Sequence, residues 1–325
     1  MRHRTLVTSL LVGLLVVAFI LDVCSGPTWF SPLALFHPRS TLQAQTITSI
    51  RLPRALAALI VGSALAVSGQ LLQTIARNPI ADPAILGVNS GANLALILGT
   101  ILGVPFTMAA RFGLALLGAL LAFGCVLGLS MTQRGLAPLR LILGGTIFSG
   151  FLVSVAYGLS LLTQTTARYR NLLVGGFSGT TYDAVKWLLP IAIIAAAGIF
   201  WLKNDLTLLA LNDQLSQSLG NRTTRTRFWT ALIIVLCAGA SVAVAGNIAF
   251  VGLGIPQCIA LISGQRFKQT VGQVALAGGA FLCLGDTLAK AARPPFELPL
   301  GALTAILGGL FLFIFLGRGQ GVRYE

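Results

Sequence analysis

Charged residues are scarce in this sequence. Only 9% of its 325 residues are Asp, Glu, Lys or Arg, whereas soluble domains carry about 25%. Hydrophobic residues make up 56% of the chain, and the mean hydropathy is +0.89. A water-soluble protein of this length cannot bury so much apolar surface in its core. The sequence therefore predicts a protein whose solvent is a lipid bilayer.

Residues that bind metals or nucleotides are also few. The two histidines, His3 and His37, lie outside the apolar runs. The five cysteines form no C-x-x-C pair, and we interpret them as small buried hydrophobic residues. No lysine follows a glycine, which excludes the Gly-Lys-Ser/Thr loop that binds nucleotide phosphates. We therefore expect no metal site, no bound cofactor and no ATP site in this chain.

Acidic residues within the apolar runs are scarce as well. We expect only Asp286 inside one, near its outer end, where a structural hydrogen-bonded role is at least as reasonable as a proton relay. Proton-coupled pumps usually keep ionisable residues inside the membrane. An ion-coupled secondary transporter is therefore a less favoured hypothesis. A membrane-embedded enzyme is weaker still, because no nucleophile, base and acid set is visible.

The positive charge indicates orientation rather than a nucleic-acid partner. The net charge is +14, but the basic residues are dispersed between the apolar runs and form no single patch. If the N-terminus lies inside and the spans alternate, more than half of the Lys and Arg residues fall inside. The expected location is the bacterial cytoplasmic membrane, with both termini cytoplasmic and membrane lipid as a partner.

Ten apolar runs follow one another along the chain, and each is read as a membrane span. The first is interpreted as an uncleaved span rather than a signal peptide. The expected fold is all-α: one integral-membrane domain, residues 1–325, built as a polytopic bundle of about ten helices, with short helices after the fifth and seventh spans. The spans are placed near residues 5–23, 52–76, 83–104, 107–131, 138–162, 185–202, 228–246, 250–263, 271–290 and 299–317.

The stretch "RNPIADPAILGVNSGANLAL" (77–96) puts polar residues between two apolar runs. Its two prolines break helix propagation, and Arg77 and Asp82 are suited to cap the freed backbone groups of a tight turn. The polar residues of the next helix allow two interpretations. Asn89, Ser90 and Asn93 either face an aqueous translocation path or form interhelical hydrogen bonds, which are common in membrane bundles.

Four segments together resemble the FecCD, or BtuC-like, permeases. Residues 51–96 contain R-L-P-R, then Ser-Gly and Gln, then R-N-P-I-A-D-P and L-G…G-A; the others are "LTLLALNDQLSQSLG" (206–220), "AGNIAFVGLGIPQ" (245–257) and "PPFELPLGALTAILGG" (294–309). Members of this family are the membrane subunits of type II ABC importers for ferric siderophores, haem and cobalamin. The resemblance covers nearly all of the chain beyond the first span.

The resemblance implies partners and roles. Two permease subunits, identical or different, pair above two ATP-binding cassette subunits that use the ATP, and an extracytoplasmic binding protein delivers the cargo. Ferric siderophore is the favoured cargo, with haem or cobalamin as the alternative. Docking of the binding protein is implied for Arg51, Arg54 and Lys290. Coupling to the ATPase is implied for a short helix that includes Leu211, Asp213, Leu215, Ser218, Leu219 and Gly220.

The sequence also departs from the family pattern. Gln257 and Ala260 stand where the family has His and Arg, and Asn212 and Ser216 replace a Gly and an Ala of the coupling segment. Lys290 is a single-point donor at a position that the family uses for docking. These changes favour a heterodimer in which two different subunits share the motifs unequally.

Overall fold

The structure is a computed structural model that describes residues 2–105, 107–132, 135–136, 138–209, 223–264, 266–294 and 296–317. Within these residues, the chain is helical apart from turns, loops and one antiparallel hairpin, whose strands β1 (Met131–Thr132) and β2 (Gly135–Leu136) have two residues each. The α-helices are α1 (Arg2–Cys24), α2 (Thr41–Gln45), α3 (Leu52–Ala76), α4 (Val88–Ile101), α5 (Met108–Ser130), α6 (Pro138–Leu162), α7 (Thr166–Val174), α8 (Tyr182–Leu209), α9 (Thr223–Ala245), α10 (Val251–Ser263), α11 (Phe267–Ala291) and α12 (Leu300–Gly317).

Seven of the described helices are long and apolar enough to cross a membrane, and α4, α10 and α12 supply three shorter apolar segments. The expected all-α bundle of about ten membrane helices is therefore confirmed. The short helix expected after the fifth span is α7, whereas the helix that follows the seventh span, α10, stands at the position of the eighth expected span.

The helix α3 forms the centre of the bundle. It packs most extensively against α11 and also contacts α8, α9 and α10. Two glycines permit the closest approaches, because a Cβ on Gly62 would overlap the backbone of Gly278 and a Cβ on Gly69 would overlap the backbone of Gly252. Small residues let membrane helices pack at this separation, so the scattered glycines of α3 fix its place in the core.

Contacts near the helix ends define two edges of the bundle. At one, the Gln273 amide of α11 donates to the Thr8 hydroxyl of α1 at 3.0 Å. We call this the amino-terminal edge, and it also contains the end of α8 and the start of α9. At the opposite edge, Arg51 reaches the end of α1 by donating to the Cys24 carbonyl at 2.7 Å.

Two predicted span boundaries differ from the structure for local reasons. The span expected at 83–104 begins with a 3-10 turn, Pro83–Leu86, and Gly87 adopts a left-handed conformation (φ 81°) before α4 starts. The span expected from residue 52 is extended backward, because α2 and a π-helical segment, Thr46–Arg51, continue directly into α3.

Candidate transport site

Arg54, on α3, is enclosed by two carboxylates at the opposite edge. Its Nε and Nη2 atoms each donate a 2.8 Å hydrogen bond to an oxygen of Asp286 on α11. Nη1 and Nη2 also donate to Glu297, at 2.6 and 3.1 Å. Asp286 is fully buried and Arg54 is 8% exposed. Such two-point pairing is the strong form of the arginine–carboxylate contact, so it clamps α3 to α11.

Lys290, one helical turn after Asp286, extends this contact to α1. Its ammonium donates to a carboxylate oxygen of Asp22 at 2.5 Å and to the Asp22 carbonyl at 2.7 Å, and it lies 3.2 Å from Asp286. Asp22 is fully buried. Negative and positive side chains therefore alternate along a row of five residues, which we call the ion row: Asp22, Lys290, Asp286, Arg54 and Glu297.

Arg51 is also held inside the subunit. Its guanidinium donates to the carbonyl oxygens of Cys24 and Thr28 at 2.7 and 2.8 Å. It stacks over the Phe30 ring with 3.8 Å between the guanidinium carbon and the ring centroid. The residue therefore ties the start of α3 to the loop that follows α1.

These contacts bear on the docking and relay hypotheses. Arg51, Arg54 and Lys290 are only 5–8% exposed, so they form no open basic rim in this conformation, and their docking role remains a prediction. The expectation that Asp286 is the only acid inside a span is wrong, because the fully buried Asp22 lies within α1. Asp286, held by two cations, has the geometry of a structural ion pair.

Glu297 reaches the ion row because the chain turns back after α11. The amide of Leu298 donates to the Ala289 carbonyl at 2.9 Å, which folds the "FELP" segment onto the helix end. The carboxylate also accepts a hydrogen bond from Ser178. Burial acts to raise the pKa of Glu297, but hydrogen bonds from Arg54 and Ser178 outweigh it and hold the pKa below its ordinary value. The glutamate was visible in the motif at 294–309, but the sequence does not reveal its partner.

The three predicted path residues all lie on α4 and are buried, with exposures of 4% for Asn89, 8% for Ser90 and 4% for Asn93. The Asn89 amide donates to the side-chain oxygen of Asn247 at 2.9 Å. This contact joins α4 to the loop that follows α9, so it is a hydrogen bond inside the bundle but not one between two helices. Asn247, which sequence reasoning did not select, lies in the "AGNIAF" motif between α9 and α10.

Two side-chain oxygens on α4 bear on the translocation path. The amide oxygens of Asn89 and Asn93 are buried and accept no hydrogen bond within the described part of the chain. An unpaired buried acceptor is costly, and the two oxygens therefore offer acceptors to water or cargo. Whether α4 lines a translocation path remains a prediction.

Asp82 caps the turn between α3 and α4 as the sequence suggested, whereas the Arg77 side chain donates to α8. A carboxylate oxygen of Asp82 accepts a 2.9 Å hydrogen bond from the Ala84 amide and starts the 3-10 turn. Burial raises the pKa of Asp82, and the Ala84 bond opposes that rise. Arg77 adopts a left-handed conformation (φ 49°), and its Nε and Nη2 atoms both donate to the Leu209 carbonyl at 3.1 Å. Arg77 thus joins this turn to the last residue of α8.

Gln257, the replacement for the family histidine, holds the same turn from the other side. Its amide nitrogen donates at 2.9 Å both to the side-chain oxygen of Gln73 and to the Pro79 carbonyl. Gln73 in turn donates to the carbonyl of Gly252 at 3.3 Å. An amide pair therefore ties α10 to α3 and to the turn that follows it.

The predicted coupling residues lie between Leu209 and Thr223, outside the described residues. Their two flanks are described, at the end of α8 and the start of α9. Both flanks are at the amino-terminal edge, next to the turn that Arg77 and Gln257 hold.

Comparison with known proteins agrees with this architecture. A family model described as the FecCD transport family matches residues 14–318. A metal-chelate type ABC transporter solved in an inward-facing conformation superposes with a TM-score of 0.85 at 26% identity, covering 96% of this chain and 98% of that one. PsaBC from Streptococcus pneumoniae shares the fold, with a TM-score of 0.64 at 14% identity over 83% of this chain and 92% of that one.

Curated relatives span the same length. The chain is 34% identical to the iron(3+)-hydroxamate import system permease protein FhuB of Bacillus subtilis, over 88% of this chain and 75% of that protein. It is 33% identical to the Fe(3+)-citrate import system permease protein YfmD of Bacillus subtilis, over 85% and 83%. It is also 33% identical to the vitamin B12 import system permease protein BtuC of Escherichia coli, over 94% of both. The chain therefore belongs to the FecCD transport family of ABC importer permeases, as a multi-pass protein of the bacterial membrane.

Proposed function

We propose that this permease carries a ferric siderophore or a related iron chelate across the cytoplasmic membrane. The observation that carries the proposal is that two of the similar permeases are named for import of iron(3+)-hydroxamate and Fe(3+)-citrate. Relatives named for vitamin B12 import make a corrinoid the alternative cargo, with haem as a third. The chain performs no covalent chemistry in this scheme, and a partner subunit hydrolyses the ATP.

The proposed assembly pairs two permease subunits, identical or different, with two ATPases and an extracytoplasmic binding protein. The amino-terminal edge faces the cytoplasm. ATP binding moves the segment 210–222, and the bundles rock between two access states. The Arg77 contact supports this route, because it connects Leu209, which directly precedes that segment, to the turn before α4. Movement of the segment then reaches Asn89, Ser90 and Asn93.

Docking of the binding protein is proposed to exchange carboxylates at Arg54. Glu297 occupies one side of the guanidinium fork, and its side chain is 39% exposed. A carboxylate from the docking protein can replace it without disturbing the buried Asp286 side. Beneath that contact, Arg51 holds the start of α3 against the end of α1, and Lys290 holds α11 there.

ATPase activity of the complex tests the function. The tagged chain is recovered from native membranes with whatever subunits copurify, reconstituted in lipid, and mixed with binding protein loaded with ferric hydroxamate, ferric citrate, haem or cobalamin. Stimulation by a ferric chelate supports the proposal. Stimulation by cobalamin or haem alone names the alternative cargo, and copurification of a folded chain without any ATPase refutes the importer assembly.

Coupling and docking have separate tests. Leu215→Asp, at a position where the leucine spacing of the sequence predicts the apolar face of the coupling helix, should uncouple ATP hydrolysis from transport. Thr224→Asp at the exposed start of α9 should not. Glu297→Gln should tighten binding of the docking protein, since it weakens the competitor for Arg54. Unchanged affinity in that variant would remove Arg54 from the docking site.

A further inference from the structure

A groove of about 760 Å³ runs between α8 and α9 on the outside of the bundle. Its α8 wall extends from Ile194 to Asp205 and its α9 wall from Arg225 to Leu236. The first and last lining residues of each wall are eleven positions apart, which corresponds to about 16 Å along the helix at 1.5 Å per residue. The hydrocarbon core of a bilayer is about 30 Å thick. The groove therefore spans about one leaflet, the one at the amino-terminal edge.

Polarity changes along the groove as it does along a phospholipid. Asp205 and Arg225 line the end at the membrane edge, and Arg225 is exposed. Trp201 and Trp229 line the next turn, at the depth where tryptophan is enriched in membrane proteins. Thr226 adjoins Arg225 at that end, and the other lining residues, as far as Leu236, are apolar.

The charge at the edge favours an anionic headgroup. Arg225 is the exposed cation of the lining, and Asp205 is its half-buried acid. Lys203 and Arg227 adjoin lining residues in the chain, and the Lys203 ammonium lies 3.3 Å from the Phe200 ring centroid. Basic pockets between membrane helices bind anionic lipid headgroups on the cytoplasmic side. An arginine fork matches phosphate geometry with two parallel bonds.

The floor of the groove is closed by helix packing. A Cβ on Gly198 would lie 2.8 Å from the terminal methyl group of Ile233, and Ile233 is 6% exposed. Ala197, beside Gly198, is exposed and points to the groove side. An occupant therefore lies on top of the Gly198–Ile233 contact rather than between the helices.

We propose that this groove binds one anionic phospholipid, with its phosphate on Arg225 and an acyl chain along Trp201 and Trp229 toward Leu236. The site is independent of the transported cargo and of the direction of transport. It makes the α8–α9 pair, which flanks the predicted coupling segment, sensitive to the lipid of one leaflet.

Tryptophan quenching tests the proposal, because two of the four tryptophans of the chain line the groove. Trp29→Phe and Trp187→Phe leave Trp201 and Trp229 as reporters. The full chain is reconstituted in equal mixtures of dioleoylphosphatidylglycerol and dioleoylphosphatidylcholine, with one lipid brominated at a time. We expect brominated phosphatidylglycerol to quench more strongly. Arg225→Gln should lower this preference roughly five-fold, the effect of one basic residue at a membrane surface.

Matched variants separate a built site from general membrane charge. Arg266→Gln removes an exposed arginine at the same edge outside the groove and should leave the preference unchanged. Ala197→Phe should fill the groove and abolish the preference, whereas Ala196→Phe, one residue along, should retain it. Equal quenching by both lipids overturns the proposal, as does a preference that survives Ala197→Phe. Absence of quenching by either lipid also overturns it, because a second copy of the chain or another subunit then covers the groove.

Discussion

Replacing Arg54 with glutamine should strongly destabilise the bundle. The variant loses four hydrogen bonds to Asp286 and Glu297. It also leaves the ion row with three carboxylates and Lys290 as the one cation among its five positions. Removing one partner of a buried ion pair costs about 3–5 kcal/mol, since the remaining charge stays buried. We expect a loss of this size in the free energy of unfolding.

Reversible unfolding in mixed micelles titrated with sodium dodecyl sulphate, followed by tryptophan fluorescence, measures that loss. Arg39→Gln is the matched control, because Arg39 is exposed in the loop that precedes α2; its effect should stay within about 0.5 kcal/mol. The double variant Arg54→Met with Asp286→Leu should recover much of the stability, because an apolar pair replaces buried ions at little cost. Arg54→Gln within about 1 kcal/mol of the wild type would contradict the reasoning.

Three further outcomes are expected. Because folding lowers the pKa of Glu297, the glutamate stabilises the bundle above its unfolded pKa of about 4.3, and this contribution is lost as pH falls through the lower folded pKa. Glu297→Gln should therefore flatten the dependence of the free energy of unfolding on pH in that acid range. An unchanged dependence would contradict the pairing with Arg54. A double-mutant cycle of Asn89→Ala and Asn247→Ala should give a coupling of about 0.6 kcal/mol, whereas simple additivity would exclude their hydrogen bond. Gly69→Ala should destabilise by about 1–3 kcal/mol through overpacking, while Gly113→Ala, which has open space around it, should be neutral in the same unfolding assay.

The sequence was sufficient for the membrane class and for most of the spans, because apolar runs of this length have no other stable solvent. It was less informative at span ends. Gly87 ends a 3-10 turn that the apolar pattern joins to α4, and Thr46–Arg51 lengthens α3 through a π-helical turn. Both features depend on local backbone geometry, which hydropathy does not report.

The partners of the charged residues were beyond the sequence for a different reason. Arg54 and Asp286 are separated by 232 residues, and no periodicity relates them. The motif resemblance identified Arg54 and Lys290 as important cations, but only the packing of α1, α3 and α11 reveals which carboxylates lie within reach. Asp22 was overlooked because it stands in an otherwise ordinary first span.

The bond between Lys290 and Asp22 has a consequence for biosynthesis. Asp22 enters the membrane with α1, but its partner follows 268 residues later in the chain. At about 5–20 residues per second, translation takes roughly 13–54 s to reach Lys290. During that interval α1 cannot take its final place, because its carboxylate has no ammonium to meet. The first helix to be inserted is thus among the last to be docked, and a chain released before α11 leaves that acid for membrane quality control to recognise.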